Sequence, residues 1–143
     1  MEAKELELRP LSLDDYEEVL SLWESSPGVG LSRADERQSL KSYLERNPDL
    51  SFIALDGARV VAAVLSGHDG RRGYIHHLAV AETHRRLGLG RALVERCLDQ
   101  LSRIGIQKVH GFIFADNRDG LDFWEAIGFG QRTDLKIVSR VLE

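Results

Sequence analysis

The sequence predicts a mixed α/β fold of the α+β class. One central sheet of six to seven strands is flanked by about four helices, in the order β-α-α-β-β-β-α-β-α-β, as a single domain over residues 1–143. Three observations predict it. An apolar run, Tyr74 to Val80, leads through a short polar link into a glycine-arginine turn and then an amphipathic helix. Two alternating apolar segments just upstream are joined by the hairpin signal Asp56-Gly57. Two Ser-x-x-Asp signatures, at Ser12 and Ser32, each precede a stretch of helical periodicity.

The elements follow in order. Glu5 to Arg9 alternates Leu6 and Leu8 with charge, giving a short strand that Pro10 ends. Ser12 caps the first helix, whose buried face is Leu13, Tyr16, Val19, Leu20 and Trp23. Ser26-Pro27-Gly28-Val29-Gly30 is a loop. Ser32 caps the second helix, which buries Leu40, Tyr43 and Leu44 and stops at Asn47-Pro48. Ser51 to Leu55, Arg59 to Ser66 and Tyr74 to Val80 form a three-strand meander, with residues 67–73 as its second turn. The third helix, from about Gly88 to Arg103, buries Leu89, Leu93, Cys97, Leu101 and Ile104, and Gly105 closes it. Val109 to Phe114 is a strand parallel to Tyr74–Val80, by the right-handed crossover rule. A shorter helix over Leu121–Ile127 ends at Gly128. Leu135 to Val141 is the last strand, and a short seventh strand falls near Phe129.

Composition narrows the function classes. The chain has 143 residues, 43% hydrophobic and 29% charged, which is ordinary for one globular domain with a proper core. A net charge of −4 and the lack of a basic block argue against a nucleic-acid binder. No apolar run approaches the roughly 18 residues that span a membrane. Met1-Glu2-Ala3-Lys4-Glu5 is charged and lacks a signal-peptide core, so a cytoplasmic location is expected. With one cysteine there is no intramolecular disulfide and no cysteine-based zinc site, and no metal is expected.

The turn Arg85-Arg86-Leu87-Gly88-Leu89-Gly90-Arg91 carries the chemistry. Glycines let the backbone approach a ligand closely. The first amides of the following helix lack intrahelical partners, and the helix dipole favours an anion there. Basic residues are disfavoured at such a start unless an anion is present. A phosphate or pyrophosphate cradle follows. A dinucleotide fingerprint would need a third glycine at position 93, which is leucine, and a Walker loop would need Gly-Lys-Ser/Thr, which does not occur.

Arg85-x-x-Gly88-x-Gly90 after a strand ending Leu-Ala-Val resembles the acetyl-CoA loop of the GNAT (GCN5-related N-acetyltransferase) superfamily. Asn117-Arg118-Asp119-Gly120-Leu121-Asp122-Phe123-Trp124-Glu125-Ala126-Ile127-Gly128-Phe129 is similar to the same superfamily's Asn-x-x-Ala-x-x-Phe-Tyr-x-x-x-Gly-Phe segment, with Gly120 for alanine and Trp124 for tyrosine. The resemblance covers nearly the whole chain and is thinnest over residues 1–50. It implies a GNAT fold and direct transfer of an acetyl group from acetyl-CoA to a primary amine of a small-molecule or protein acceptor.

It also implies roles for residues. The amides of Arg86 to Arg91 hold the pyrophosphate. Leu78, Ala79 and Val80 pair through their main chain with the pantetheine arm, which requires the strands of Leu78 and Phe112 to splay apart. The N–H of Leu78 polarises the thioester carbonyl. Asn117 contacts the cofactor, or caps its helix, or both. His76 is the expected base, because a histidine here resembles that of the arylalkylamine N-acetyltransferases and titrates near neutrality. A half-buried packing histidine with a structural hydrogen bond is the competing reading. Alternation places His76 and Leu78 on one sheet face and His77 on the other.

Trp124 leaves the position of the usual tyrosine acid without an ionisable proton, since indole N–H only donates. This keeps open an alternative: a non-catalytic acyl-CoA-binding sensor or interaction module. Tyr16, Tyr43 and Tyr74 read as packing residues and Cys97 as inert core. Arg71 and Arg72 could border an acceptor pocket or simply fill a hairpin turn. The last strand could also pair two copies into a homodimer.

Overall fold

The structure, a computed structural model, describes residues 6–142. Glu5, where the first strand was expected to begin, and the charged Met1–Glu5 stretch lie outside these residues. The chain divides into two compact units, one up to Phe112 and one from Ile113 onward.

The first unit holds a five-stranded sheet in the order β1-β2-β3-β4-β5. The strands are β1 (Glu7–Pro10), β2 (Phe52–Asp56), β3 (Arg59–His68), β4 (Gly73–Val80) and β5 (Val109–Gly111). Neighbours are antiparallel except β4 and β5, which run parallel. That matches the crossover expected through the long helix. Pro10 is the last residue of β1, on the sheet's outer edge, where its missing N–H costs no ladder bond. The β2–β3 turn is centred on Gly57-Ala58 rather than Asp56-Gly57, because Asp56 still pairs with Arg59; Gly57 takes φ +63°.

Helices α1 (Tyr16–Glu24) and α2 (Arg37–Arg46) cover one sheet face. Both capping boxes form, Ser12 with Asp15 and Ser32 with Asp35, but each opens a short 3-10 turn ahead of its helix. Tyr16, Val19, Trp23 and Leu40 meet Ile53, Leu55, Ala63, Leu65 and Ala79 in a continuous core. Leu22 joins this face, where Leu20 had been expected; Leu20 is only partly buried. Helix α3 (Leu89–Arg103) buries Leu89, Leu93, Val94, Cys97 and Leu101 and packs on β2, β3 and β4 from the other side. Ile104 does not join them. It lies past the last helical residue and is 54% exposed, while Gly105 closes the helix at φ +91° as expected.

The second unit contains α4 (Arg118–Ala126), capped by Asn117, whose Oδ1 accepts from the Gly120 N–H at 3.0 Å. Gly128 follows with φ +103°. Trp124 packs edge-on to Phe129, with ring centroids 4.8 Å apart. The strands expected at Leu135–Val141 and near Phe129 do not form, and the sheet has five strands instead of six to seven. Val109–Phe114 shortens to Val109–Gly111. Apolar alternation gives a segment the capacity to pair, but a strand exists only where another strand supplies the ladder.

Candidate functional site

The chemistry-bearing residues of the first unit gather along β4 and at the start of α3. β5 pairs with β4 only at Gly73, Tyr74 and Ile75. Among the described residues, no strand pairs with that edge of β4 beyond Ile75. The pairing thus ends before Leu78 and Phe112, where the resemblance expects the strands to part: Ile75 and Gly111 are the last partners, and His76 and Phe112 are the first residues past them.

β4 also carries a bulge that the sequence reading missed. Between two paired positions, Ala63 with Ala79 and Leu65 with His76, β3 advances two residues and β4 advances three. His77, at the bulge, has φ +54°. Two expectations are corrected by it. His77 does not point away from His76; both rings lie on the α1/α2 face. His77 meets the Trp23 ring at 5.1 Å, and His76 meets the Tyr43 ring at 6.3 Å. Nor does Leu78 share a face with His76. Ala79 packs in the α1/α2 core three residues after His76, so the alternation between them is broken.

The main chain is rephased as well. Gly73 N–H donates to Lys108 O on the β5 side at 2.9 Å, whereas Ala81 N–H donates to Val61 O on the β3 side at 2.7 Å. Counting back from Ala81 in steps of two, Ala79 faces β3, and Leu78 and Val80 face the open edge. Arg85 Nε takes the Val80 carbonyl there, at 3.1 Å.

His76 sits at the mouth of the splay in an aromatic stack. Its ring lies 5.7 Å from Phe112 at 23° and 6.4 Å from Tyr74 at 6°. Burial, and then the neighbouring His77, push its pKa below the ordinary histidine value, with Asp35 opposing weakly. Burial thus favours the neutral imidazole of His76 at pH 7. His77 Nε2 lies 2.8 Å from the buried Asp35 Oδ1, and its carbonyl accepts from Trp23 Nε1 at 2.9 Å. Asp35 was legible as a capping residue; its second partner was not, because the two lie 42 positions apart. The Tyr43 hydroxyl is buried with no hydrogen-bond partner, and desolvation pushes its pKa up.

The strand then meets the glycine-arginine turn. Gly88 is the N-cap of α3, at φ +80°, and no side chain caps the helix. Arg86 is also left-handed, at φ +65°. No acidic residue lies in the first turn of α3, whereas α1 has Glu17 and Glu18 in its own. Arg85, Arg86, Leu87 and Gly88 are exposed, while Leu89 and Gly90 are buried. Arg91 makes an exposed i,i+4 pair with Glu95. An uncapped helix start, left-handed positions at Arg86 and Gly88, and three arginines fit the phosphates of an acyl-CoA. Asn117 and Trp124 belong to the second unit. Asn117 Oδ1 is engaged in capping α4.

Among the described residues, no group of three or more His, Cys, Asp or Glu side chains could hold a metal ion, and no helix is long and apolar enough to cross a membrane.

Comparison with known proteins places this geometry. The family model described as "Acetyltransferase (GNAT) family" matches residues 16–129. An acetyltransferase of Sodalis glossinidius (strain morsitans) is 28% identical over 139 residues, which is 96% of each chain. Among solved structures, the PaiA N-acetyltransferase of Thermoplasma acidophilum, in complex with coenzyme A, is similar with a TM-score of 0.77 at 15% identity, over 88% of this chain and 90% of that one. An aminoglycoside acetyltransferase from an uncultured soil metagenomic sample, in complex with sisomicin, gives a TM-score of 0.74 at 18% identity, over 96% and 97%. At these identities the structural likenesses establish the fold.

Proposed function

The chain belongs to the GNAT acetyltransferase family and is an acetyl-CoA-dependent acyltransferase; from that premise we propose that it moves the acetyl group directly onto a primary amine of a small-molecule or protein acceptor. The observation that carries this reading is continuity. The open edge of β4 leads, through the short turn Glu82–His84 and the exposed residues 85–88, to the uncapped start of α3, so one ligand with a strand-like arm and a pyrophosphate can engage both.

In this reading the amides of Arg86 to Arg91, with Arg85, hold the pyrophosphate, and Leu78 and Val80, whose main chains face the open edge, pair with the arm; Ala79, expected to join them, is paired to β3 instead. Leu78 N–H donates to the thioester carbonyl, an interaction of a kind worth about 2.7–4 kcal/mol of barrier. His76 accepts the amine proton, directly or through one water, as the new C–N bond forms and the C–S bond breaks to release the CoA thiolate. Neutral His76 beside the mouth of the splay supports this. Asn117 and Trp124 are proposed as cofactor contacts on the resemblance alone. Neither supplies an ionisable acid, and a CoA thiolate leaves without one. The natural setting is the cytoplasm, where acetyl-CoA is made available to amines.

Thermal unfolding with acetyl-CoA, CoA, NAD and ATP in parallel tests the reading. Ligand at about 100 times its dissociation constant adds about 2.7 kcal/mol, several degrees for a chain of this size. A shift with the two CoA species alone is expected. A folded protein that responds to neither refutes it. The indole at Trp124 favours a second reading, an acyl-CoA sensor without transferase activity; amine-dependent release of thiol from acetyl-CoA excludes that one.

A further inference from the structure

We infer that His77, gripped by Asp35 and Trp23, is a positioning residue that fixes which way the Leu78 N–H points. The inference rests on the acetyl-transfer reading and extends it to residues outside the cofactor loop. With β4 anchored to β5 through Gly73 N–H and Lys108 O, uninterrupted alternation would aim the Leu78 main chain at β3. The extra residue at the bulge turns it to the open edge.

That turn is made by a side-chain-bearing residue at φ +54°, a conformation uncommon outside glycine although histidine, like asparagine and aspartate, adopts it more often than other residues. Something must hold it there. Two contacts do, from two different elements. Trp23 of α1 donates Nε1 to the His77 carbonyl at 2.9 Å, which fixes the main chain. Asp35, ahead of α2, receives His77 Nε2 at 2.8 Å, which fixes the ring. Asp35 is itself immobilised: its Oδ2 accepts from Ser32 N–H at 3.0 Å, and its carbonyl accepts from Tyr16 Oη at 2.8 Å. The segment between α1 and α2 is thereby coupled to the orientation of one amide on β4.

The test needs no acceptor. Backbone amide NMR of the full chain is recorded with acetyl-CoA and with CoA, for wild type, His77→Gly, Asp35→Ala and Ser32→Ala. Glycine tolerates φ +54° and keeps its carbonyl for Trp23 but loses the ring contact to Asp35, so His77→Gly folds with one of the two holds removed. Ser32→Ala weakens the same cap as Asp35→Ala but leaves the histidine contact, and so separates lost stability from lost positioning. In wild type and Ser32→Ala, the Leu78 amide should move with acetyl-CoA and not with CoA, while the Leu89 amide moves with both. In His77→Gly and Asp35→Ala, the Leu89 response should persist and the acetyl-specific Leu78 response vanish. An intact Leu78 response in both variants, or its loss in Ser32→Ala, overturns the inference alone. If Leu89 does not respond to CoA in the folded wild type, the acetyl-transfer reading falls and takes this inference with it.

Discussion

Tyr43 and Gly67 divide a single space between them: a Cβ on residue 67 would lie 2.5 Å from the Tyr43 hydroxyl and 2.7 Å from Asn47 Cγ. Neither neighbour can yield easily. Asn47 is held by the His68 N–H to its Oδ1 at 3.1 Å and by its own Nδ2 to Tyr43 O at 3.2 Å. Gly67→Ala should therefore destabilise by about 1–3 kcal/mol, the usual cost of overpacking. Urea unfolding measures it. Adding Tyr43→Phe, which removes the unpartnered hydroxyl, should return part of the loss.

The pH behaviour of His76 follows from its burial. Its folded pKa lies below the ordinary value of 6.5. Above 6.5 the group is neutral in both folded and unfolded chains and contributes nothing to pH dependence. As pH falls from 6.5 toward the folded value, the unfolded chain takes up the proton first, and stability is lost over that window. The acid limb of activity should accordingly lie below 6.5. His76→Gln should remove both the activity limb and this component of acid destabilisation. A limb that stays in place in His76→Gln assigns it to another group.

Gly88 offers a clean separation of folding from binding. It sits at φ +80° with nothing within 4 Å of an added Cβ. Gly88→Ala should cost about 1 kcal/mol in backbone strain and only weaken acetyl-CoA binding. Gly88→Glu adds a carboxylate that can cap α3 itself, an interaction worth about 0.3–1 kcal/mol. Its melting temperature should stay near that of Gly88→Ala while the CoA-dependent shift disappears.

Arg9 and Asp15 govern acid stability at the other end of the sheet. Arg9 grips the buried Asp15 through Nη1 at 2.9 Å and Nη2 at 2.8 Å. Arg9, with the Ser12 N–H, holds the carboxyl pKa below its ordinary 3.8. The stabilisation is fully present above 3.8 and is lost as pH falls through the folded value. Asp15→Asn should cost about 1–2 kcal/mol at neutral pH, partly through the broken cap. Its stability should then vary less than that of the wild type between pH 5 and about 2, as read by acid titration of the melting temperature.

What was legible in the sequence is what short-range chemistry decides. Gly88, Gly90 and their arginines signal a basic turn into a helix start, and that turn forms, because turn, charge and helix start are all local. The capping boxes at Ser12 and Ser32 are equally local, and both form. The bulge at His77 was not legible. It depends on an indole 54 positions away and a carboxylate 42 positions away, and period-two reasoning assumes that no such partner exists. The strand expected at Leu135–Val141 failed for a related reason. Its alternation describes what the segment could pair with, while pairing itself is a property of two segments. The splay of β4 from β5 came from family resemblance alone; what the structure adds is that their pairing ends at Ile75 with Gly111.

Arg86 carries a consequence for engineering. At φ +65° it occupies a conformation that glycine or asparagine would take more comfortably. A search for thermostable variants should therefore select Arg86→Gly or Arg86→Asn early. Those variants would be tougher and poorer at their work, because the discomfort at this position is inseparable from its charge. Consensus-guided hardening of this chain should spare residue 86 and look instead to surfaces where comfort and chemistry do not compete.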